Sequence, residues 1–224
     1  MADSHLEGSQ LTISEYLERR WDTVLELALE HILLVAISVG IAAIVGVLLA
    51  TLVYRDRRAT SILLNVTSAA FTIPAIAYFT VLVALVGLGF TPSVIVLVIY
   101  ALLPIVRNTV TGLREVSPAV IRSAKGMGMG RLQLLTRIEL PLAWPVILAG
   151  IRVGAVLTVG IAAIAAYISG PGLGREIFGG LGALGSARAI PQATVGTIAI
   201  IVVALLLDAL LILMGRLTTA KGLR

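Results

Sequence analysis

Two charged residues, Arg152 and Asp208, lie inside apolar runs of the chain and are the first candidates for chemistry. Arg152 follows Pro141 by eleven residues, and Asp208 precedes Arg216 by eight. If both runs are helices, a rise of 1.5 Å per residue places both side chains about 10–16 Å from one membrane surface. Charges in a bilayer are costly and usually face protein or water. We therefore predict that the two residues pair or line one polar cavity, either as a structural strut or as part of a transport pathway.

The sequence contains no recognisable catalytic or metal-binding pattern. Without cysteine it has no thiolate nucleophile, disulfide or cysteine-ligated metal. Its two histidines, His5 and His31, are far apart, and His31 begins an apolar run, where we expect an interfacial residue instead of a ligand. No Walker phosphate-binding motif is present, and the glycine pattern at 180–185 follows no predicted strand, as a dinucleotide site requires. The sequence therefore predicts a chain that is not an enzyme and holds no metal or cofactor.

The composition is that of a membrane protein. The 224 residues are 58% hydrophobic and 13% charged, with a mean hydropathy of +1.05, whereas soluble domains are about 45–50% apolar and about 25% charged. This predicts an all-α integral membrane protein. The net charge of +5 could suggest nucleic acid as a partner. We reject that partner, because the basic residues flank apolar runs, where they orient the protein and meet anionic lipid.

About five transmembrane helices are predicted, since about twenty apolar residues span a bilayer. The spans cover about 31–53, 62–88, 93–110, 141–168 and 191–214, and together form a transmembrane domain over 31–214. The second span is expected to bend at Pro74. Residues 1–30 are predicted as an extracytoplasmic segment with an amphipathic helix over about 12–29 and Trp21 near the interface; a plain solvated helix is the alternative. The predicted connections are a loop at 111–140, a glycine-rich connector at 169–190 and a tail at 215–224.

The basic residues predict the orientation of the chain. If the connections after spans one, three and five are cytoplasmic, twelve of the seventeen basic residues lie inside: Arg55, Arg57, Arg58, Arg107, Arg114, Arg122, Lys125, Arg131, Arg137, Arg216, Lys221 and Arg224. Four lie outside: Arg19, Arg20, Arg175 and Arg188. This excess predicts an N-terminus outside and a C-terminus in the cytoplasm.

The cytoplasmic loop at 111–140 is predicted to contain two short helices, around Pro118–Gly126 and Arg131–Ile138. Three glycines between them permit a sharp turn with close backbone approach: Gly126, Gly128 and Gly130. Met127 and Met129 add adaptable apolar side chains to a basic surface. Apolar side chains on a charged loop are typical of a docking surface, although a loop lying on lipid headgroups is also possible.

The loop also has a family resemblance. Gly128, followed after nine residues by Ile138-Glu139-Leu140-Pro141, resembles the coupling loop of ATP-binding-cassette (ABC) importer permeases. That loop begins Glu-Ala-Ala in the family, whereas this chain has Arg122-Ser123-Ala124, with arginine where glutamate is usual. The resemblance covers about 72–208, and the run from Tyr100 to Thr109 is similar to the third span of osmoprotectant importer permeases. Methionine importer permeases share the loop but match that span less well.

The resemblance implies a type I ABC importer permease fold and a permease subunit that imports compatible solutes, such as glycine betaine, choline, carnitine or proline, by alternating access. It also implies the partners: two ABC ATPase subunits that bind ATP and Mg, a second permease subunit, identical or different, and an extracytoplasmic substrate-binding protein. The location implied is the bacterial cytoplasmic (inner) membrane. The implied ATPase-coupling residues are Arg122, Ser123, Ala124, Lys125, Gly126, Met127, Gly128, Met129, Gly130, Ile138, Leu140 and Pro141.

The connector at 169–190 is predicted to face outside, where a substrate-binding protein would dock. Its polar residues Arg175, Glu176 and Arg188 are the candidate contacts, and a loose surface loop is the simpler alternative.

The sequence leaves alternatives open for a helix contact, for the solute and for the mode of transport. Gly150 and Gly154 form a G-x-x-x-G pattern that permits close helix approach, either within the chain or between two copies. The solute could be a different small molecule, such as methionine. The chain could also be a stand-alone channel or secondary transporter with Arg152 and Asp208 in its ion pathway, or a membrane anchor that transports nothing.

Overall fold

The computed structural model describes residues 11–219; residues 1–10 and 220–224, which include His5, Lys221 and Arg224, lie outside the described part. The described residues form nine α-helices: α1 (Ile13–Val53), α2 (Arg57–Thr72), α3 (Ala75–Val86), α4 (Phe90–Glu115), α5 (Pro118–Gly126), α6 (Arg131–Leu134), α7 (Leu140–Ala162), α8 (Gly174–Gly182) and α9 (Ala189–Thr218). A π-helical turn, Leu135–Glu139, joins α6 to α7, and a 3-10 turn, Ala163–Ile168, follows α7. Between residues 11 and 219 there is no strand, which confirms the predicted all-α class.

The described residues contain four candidate membrane spans, or five if a bent helix pair is counted, against the predicted five. Four stretches of the described chain are long and apolar enough to cross a membrane: α1, α4, α9 and the helical run from Arg131 to Ile168. The broken pair α2 and α3 makes a fifth when it is counted as one span. The break falls at Ile73 and Pro74, because a residue before proline is pushed out of the helical region; Ile73 has a ψ of 129°.

Helix α1 is longer than predicted, because the amphipathic segment and the first span form one helix. It begins with a capping box, in which Thr12 Oγ1 accepts from the Glu15 N–H and the Glu15 carboxylate accepts from the Thr12 N–H. Its 41 residues extend about 60 Å, about twice the thickness of a hydrocarbon core. No glycine or proline occurs between residues 13 and 39, so nothing interrupts the helix near residue 30.

The described residues divide into two compact units. The first consists of 11–37, 75–97 and 159–206, and the second of 38–74, 98–158 and 207–219.

The second unit has a core of buried side chains from α1, α4 and α7 and from Tyr54. Its members are Ala50, Tyr54, Val106, Val110, Leu113, Ala143 and Ile147. Gly150 on α7 lies so close to α4 that a Cβ there would be 2.6 Å from Asn108 Cβ and 2.8 Å from the Pro104 carbonyl oxygen. At Gly154 the nearest α4 atom, the Ala101 carbonyl oxygen, would be 3.4 Å away. The G-x-x-x-G pattern therefore lies on a seam within the chain.

In the first unit, the connector at 169–190 contains a helix and buried residues, so it is not a loose loop. The connector contains α8, and three of its residues are buried: Leu173, Glu176 and Gly180. Gly174 packs directly on the backbone of Ala163 in the 3-10 turn. The many glycines of this segment thus permit close helix packing as well as turns.

Candidate functional site

The predicted coupling loop folds as two helices, α5 and α6, joined by a glycine turn. The Ser117 side chain caps α5 by accepting from the Ala119 N–H, and Pro118 occupies the first helical position. After α5, Gly128 adopts a φ of +83°, a left-handed conformation that suits glycine. The chain then enters α6 at Arg131, the residue where the second short helix was predicted to begin.

Most of the predicted coupling residues lie at the surface of this loop. Those exposed are Arg122, Ser123, Lys125, Gly126, Met127, Gly128, Gly130 and Pro141, whereas Met129, Ile138 and Leu140 are half-buried and Ala124 is buried. Met127 is 71% exposed. Leu132, which the sequence prediction did not include, is 73% exposed. We call Met127 and Leu132 the apolar tip of the loop.

Between the loop and α7, the π-helical turn changes which residues face inward. The Leu140 N–H donates to the carbonyl oxygen of Leu135, five residues earlier, as in a π-helix. The next residue, Pro141, has no N–H to continue an α-helical ladder. The side chain of Glu139, at the end of this turn, is buried in the second unit.

Glu139 is the centre of a polar cluster that the sequence analysis missed. Its Oε2 atom accepts hydrogen bonds from the Tyr54 hydroxyl at 2.5 Å and from Arg55 Nη2 at 2.8 Å. Arg55 also donates to the Tyr54 hydroxyl, and its guanidinium carbon lies 5.1 Å from the centre of the Tyr54 ring. Burial, together with the hydrogen bond to Glu139, raises the pKa of Tyr54 to about 12. This cluster joins the residues after α1 to the end of the coupling loop.

The structure brings Arg152 and Asp208 together. Arg152 Nη2 lies 2.8 Å from Asp208 Oδ1 and 3.0 Å from Oδ2, and Arg152 Nε lies 2.9 Å from Oδ1. This bidentate geometry is the strong form of an arginine–carboxylate pair. Both side chains are still about one-third exposed in the single chain. The pair can therefore stabilise the contact between α7 and α9, and one side of it stays accessible.

The predicted docking residues of the connector have different environments. Glu176 is buried, accepts a hydrogen bond from the Tyr16 hydroxyl at 2.5 Å and lies 3.6 Å from Arg20 Nη2. Its prediction as a docking contact was therefore wrong, because a partner cannot reach it. Arg175 donates to the Gly170 carbonyl and lies 3.7 Å from Glu30, although about half of its side chain is exposed. Arg188 is exposed.

His31, which was predicted as an interfacial residue, lies inside the protein. Its side chain is fully buried in the first unit, and its Nε2 atom lies 3.1 Å from the carbonyl oxygen of Val159. A Cβ on Gly172 would lie 2.8 Å from His31 Nδ1, so the backbone there closes over the ring. Among the described residues no group of three or more His, Cys, Asp or Glu side chains could hold a metal ion.

The sequence of the chain is similar to a known family and to several named relatives. The family described as "binding-protein-dependent transport system inner membrane component" matches residues 20–218. The osmoprotectant import permease protein OsmW of Salmonella typhimurium is 37% identical, over 88% of this chain and 93% of the relative. The glycine betaine/carnitine/choline transport system permease protein OpuCD of Bacillus subtilis is 39% identical, over 88% and 89%. The choline transport system permease protein OpuBD of the same species is also 39% identical, over 85% and 87%.

The fold is similar to a solved transporter structure. A chain of the inward-facing methionine ABC transporter MetNI matches with a TM-score of 0.75 and 21% identity, over 91% of this chain and 99% of that chain. Identity at this level shows the fold alone, and that fold is the one predicted, a type I ABC importer permease. Since the family match includes most of the chain, this protein belongs to the inner membrane components of binding-protein-dependent transport systems, as a multi-pass protein of the bacterial cytoplasmic membrane.

Proposed function

We propose that the chain is the permease subunit of an ATP-driven importer for compatible solutes: glycine betaine, choline, carnitine or proline. The substrate class is supported by the relatives, which are named for osmoprotectant, glycine betaine, carnitine and choline transport and match more than four-fifths of the chain. They favour compatible solutes over methionine. ATP and Mg would bind to two separate ATPase subunits, and a second permease subunit would complete the pathway.

The observation that best supports coupling to an ATPase is the exposed apolar tip. Met127 and Leu132 are each more than two-thirds exposed on a loop that also presents Arg122, Lys125 and Arg131. Large apolar side chains on a charged surface are typical of a site that a protein partner covers. Arg122, which stands where the family usually has glutamate, would then meet an acidic patch on the partner.

Transmission from this loop into the membrane would use the Glu139 cluster. Glu139 ties the end of the coupling loop to Tyr54 and Arg55, which follow α1 directly. A movement of the loop would therefore be passed to α1 as well as to α7. In such a mechanism the helices tilt largely as rigid bodies and switch access from outside to inside.

The coupling proposal can be tested by crosslinking in native membranes, since the chain contains no cysteine. Met127→Cys and Leu132→Cys would each be treated with a short thiol crosslinker, and the product would be identified by mass spectrometry. Ser61→Cys, an exposed position near the start of α2, is the matched control. We expect an ABC ATPase to be captured from positions 127 and 132 and not from 61. Capture of only lipid or a second copy of this chain, with labelling confirmed, would argue against the proposal.

A further inference from the structure

A cavity of about 630 Å³ lies beside the coupling loop, within the second unit. This volume is in the range of small-molecule sites. Six of its lining residues are polar or charged: Tyr54, Arg55, Arg114, Lys125, Arg131 and Glu139. The remaining lining is apolar and comes from α4, α5 and α6 and the connection between α4 and α5. The cavity is therefore a partly apolar space with four cationic side chains and one carboxylate.

Two of the four cations are already engaged by the protein. Arg55 forms an ion pair with Glu139 at 2.8 Å. Arg114 donates from Nε to the Tyr54 carbonyl oxygen and from Nη2 to the Thr60 hydroxyl, both at 2.9 Å, and neither acceptor carries a formal charge. The single carboxylate of the cavity thus compensates only one of its positive charges.

The other two cations, Lys125 and Arg131, are not engaged by any side chain among the described residues. Among residues 11–219, neither Lys125 nor Arg131 forms an ion pair or a side-chain hydrogen bond. They come from different helices, Lys125 from the last turn of α5 and Arg131 from the first residue of α6, and yet line the same cavity. Both side chains are exposed and line the same cavity, so an anion that enters it can accept hydrogen bonds from both of them.

The position of the cavity limits the anion to something present where the spans meet the cytoplasm. Tyr54 and Arg55 follow the end of α1, Arg114 is in the last turn of α4, and Glu139 directly precedes α7. Under the predicted orientation these are the cytoplasmic ends of three spans. Basic pockets between helices at this depth are typical sites for the headgroups of anionic phospholipids.

We propose that this cavity binds a phosphate-bearing anion, with Lys125 and Arg131 as the principal ligands and Arg114 as a third donor. The location favours the phosphodiester of an anionic phospholipid over a soluble phosphate. A ligand held there would contact α4, α5 and α6 together. It would thus make the position of the coupling loop depend on the lipid around the transporter, a property that goes beyond the proposed transport function.

The proposal can be tested by ligand-dependent thermal unfolding of the full chain, stripped of lipid in an uncharged detergent. The probes are dioctanoyl phosphatidylglycerol, dioctanoyl phosphatidylcholine and sodium phosphate, at constant ionic strength. We expect phosphatidylglycerol to raise the unfolding temperature saturably and phosphatidylcholine to have no such effect. Each cation should contribute as much binding free energy as a basic residue near an anionic membrane does. Lys125→Gln alone should therefore weaken the binding of phosphatidylglycerol about fivefold, and Lys125→Gln with Arg131→Gln about thirtyfold.

The matched control is Arg57→Gln with Arg58→Gln, which removes two exposed cations from the same unit but outside the cavity. It should bind phosphatidylglycerol like the wild type. Saturable stabilisation by sodium phosphate that requires Lys125 and Arg131 would support the site and identify its ligand as a soluble anion. Equal shifts with both lipids and none with phosphate, or equal losses in the two double variants, would overturn the proposal. Binding of neither phosphatidylglycerol nor phosphate by the wild-type chain would also overturn it.

Discussion

Replacing Glu139 by alanine should destabilise the protein, because this carboxylate is almost fully buried and has two partners. The loss of its contact with Arg55 should cost little, since the arginine side chain is 44% exposed and can turn to water. Most of the destabilisation should come from loss of the hydrogen bond that the buried Tyr54 hydroxyl donates to Glu139. A hydrogen bond to a charged acceptor contributes about 1.5–3 kcal/mol to the free energy of unfolding. We therefore expect Glu139→Ala to reduce the free energy of unfolding by about 2–3 kcal/mol.

A double-mutant cycle separates this contact from general damage. Glu139→Ala, Tyr54→Phe and the double variant would be unfolded by sodium dodecyl sulfate titration in mixed micelles and followed by circular dichroism. We expect an interaction free energy of about 1–2 kcal/mol between the two positions. Glu115→Ala, which removes an exposed carboxylate at the end of α4, is the control and should be additive with Tyr54→Phe. Additivity within about 0.5 kcal/mol for the Glu139 cycle as well would refute the reasoning.

Three further predictions concern the contact between α4 and α7, the pair Arg152–Asp208 and the pKa of Tyr54. Gly150→Ala should lower the unfolding temperature well below that of Gly154→Ala, because only the first places a methyl group under 3 Å from α4; equal tolerance in thermal unfolding would contradict the seam. Asp208→Ala should be less stable than the double variant that also replaces Arg152, since the single change leaves an arginine without its carboxylate inside a span; the reverse order in the same assay would contradict a structural pair. The raised pKa of Tyr54 means that its protonated hydroxyl stabilises the fold fully below about pH 10 and progressively less as the pH rises to about 12; circular dichroism should show this loss in the wild type and a smaller loss in Tyr54→Phe.

Local patterns predicted the helices well, because proline, glycine and apolar runs act on nearby backbone. The break after α2 follows from Pro74, and α5 begins at Pro118 and ends at Gly126 as predicted. The positions of Arg152 and Asp208 on their helices placed both at a similar depth, and the structure has them in contact.

The polar clusters could not be predicted in the same way, since their members are far apart in the sequence. Tyr54 and Glu139 are 85 residues apart, and Tyr16 and Glu176 are 160 apart. A carboxylate in a polar connector has the same local pattern whether it faces solvent or a buried tyrosine. Glu176 was consequently assigned to the surface, and Glu139 was noted only as part of a motif. Glu30 is different, because it directly follows the predicted amphipathic stretch and precedes an apolar run, a position that could have indicated a polar partner. In the structure its carboxylate accepts from the Gly172 N–H and pairs with Arg175.

The most direct test of the transport function is solute uptake by the assembled transporter. The complex would be purified through a tag on this chain, reconstituted in liposomes with its substrate-binding protein, and assayed with radiolabelled glycine betaine, choline, carnitine and proline. We predict accumulation of at least one of these solutes that requires ATP on the ATPase side and is lost when Met127 and Leu132 are both replaced by glutamate. Uptake or ion conductance by the chain alone, independent of ATP and unaffected by those replacements, would contradict the account.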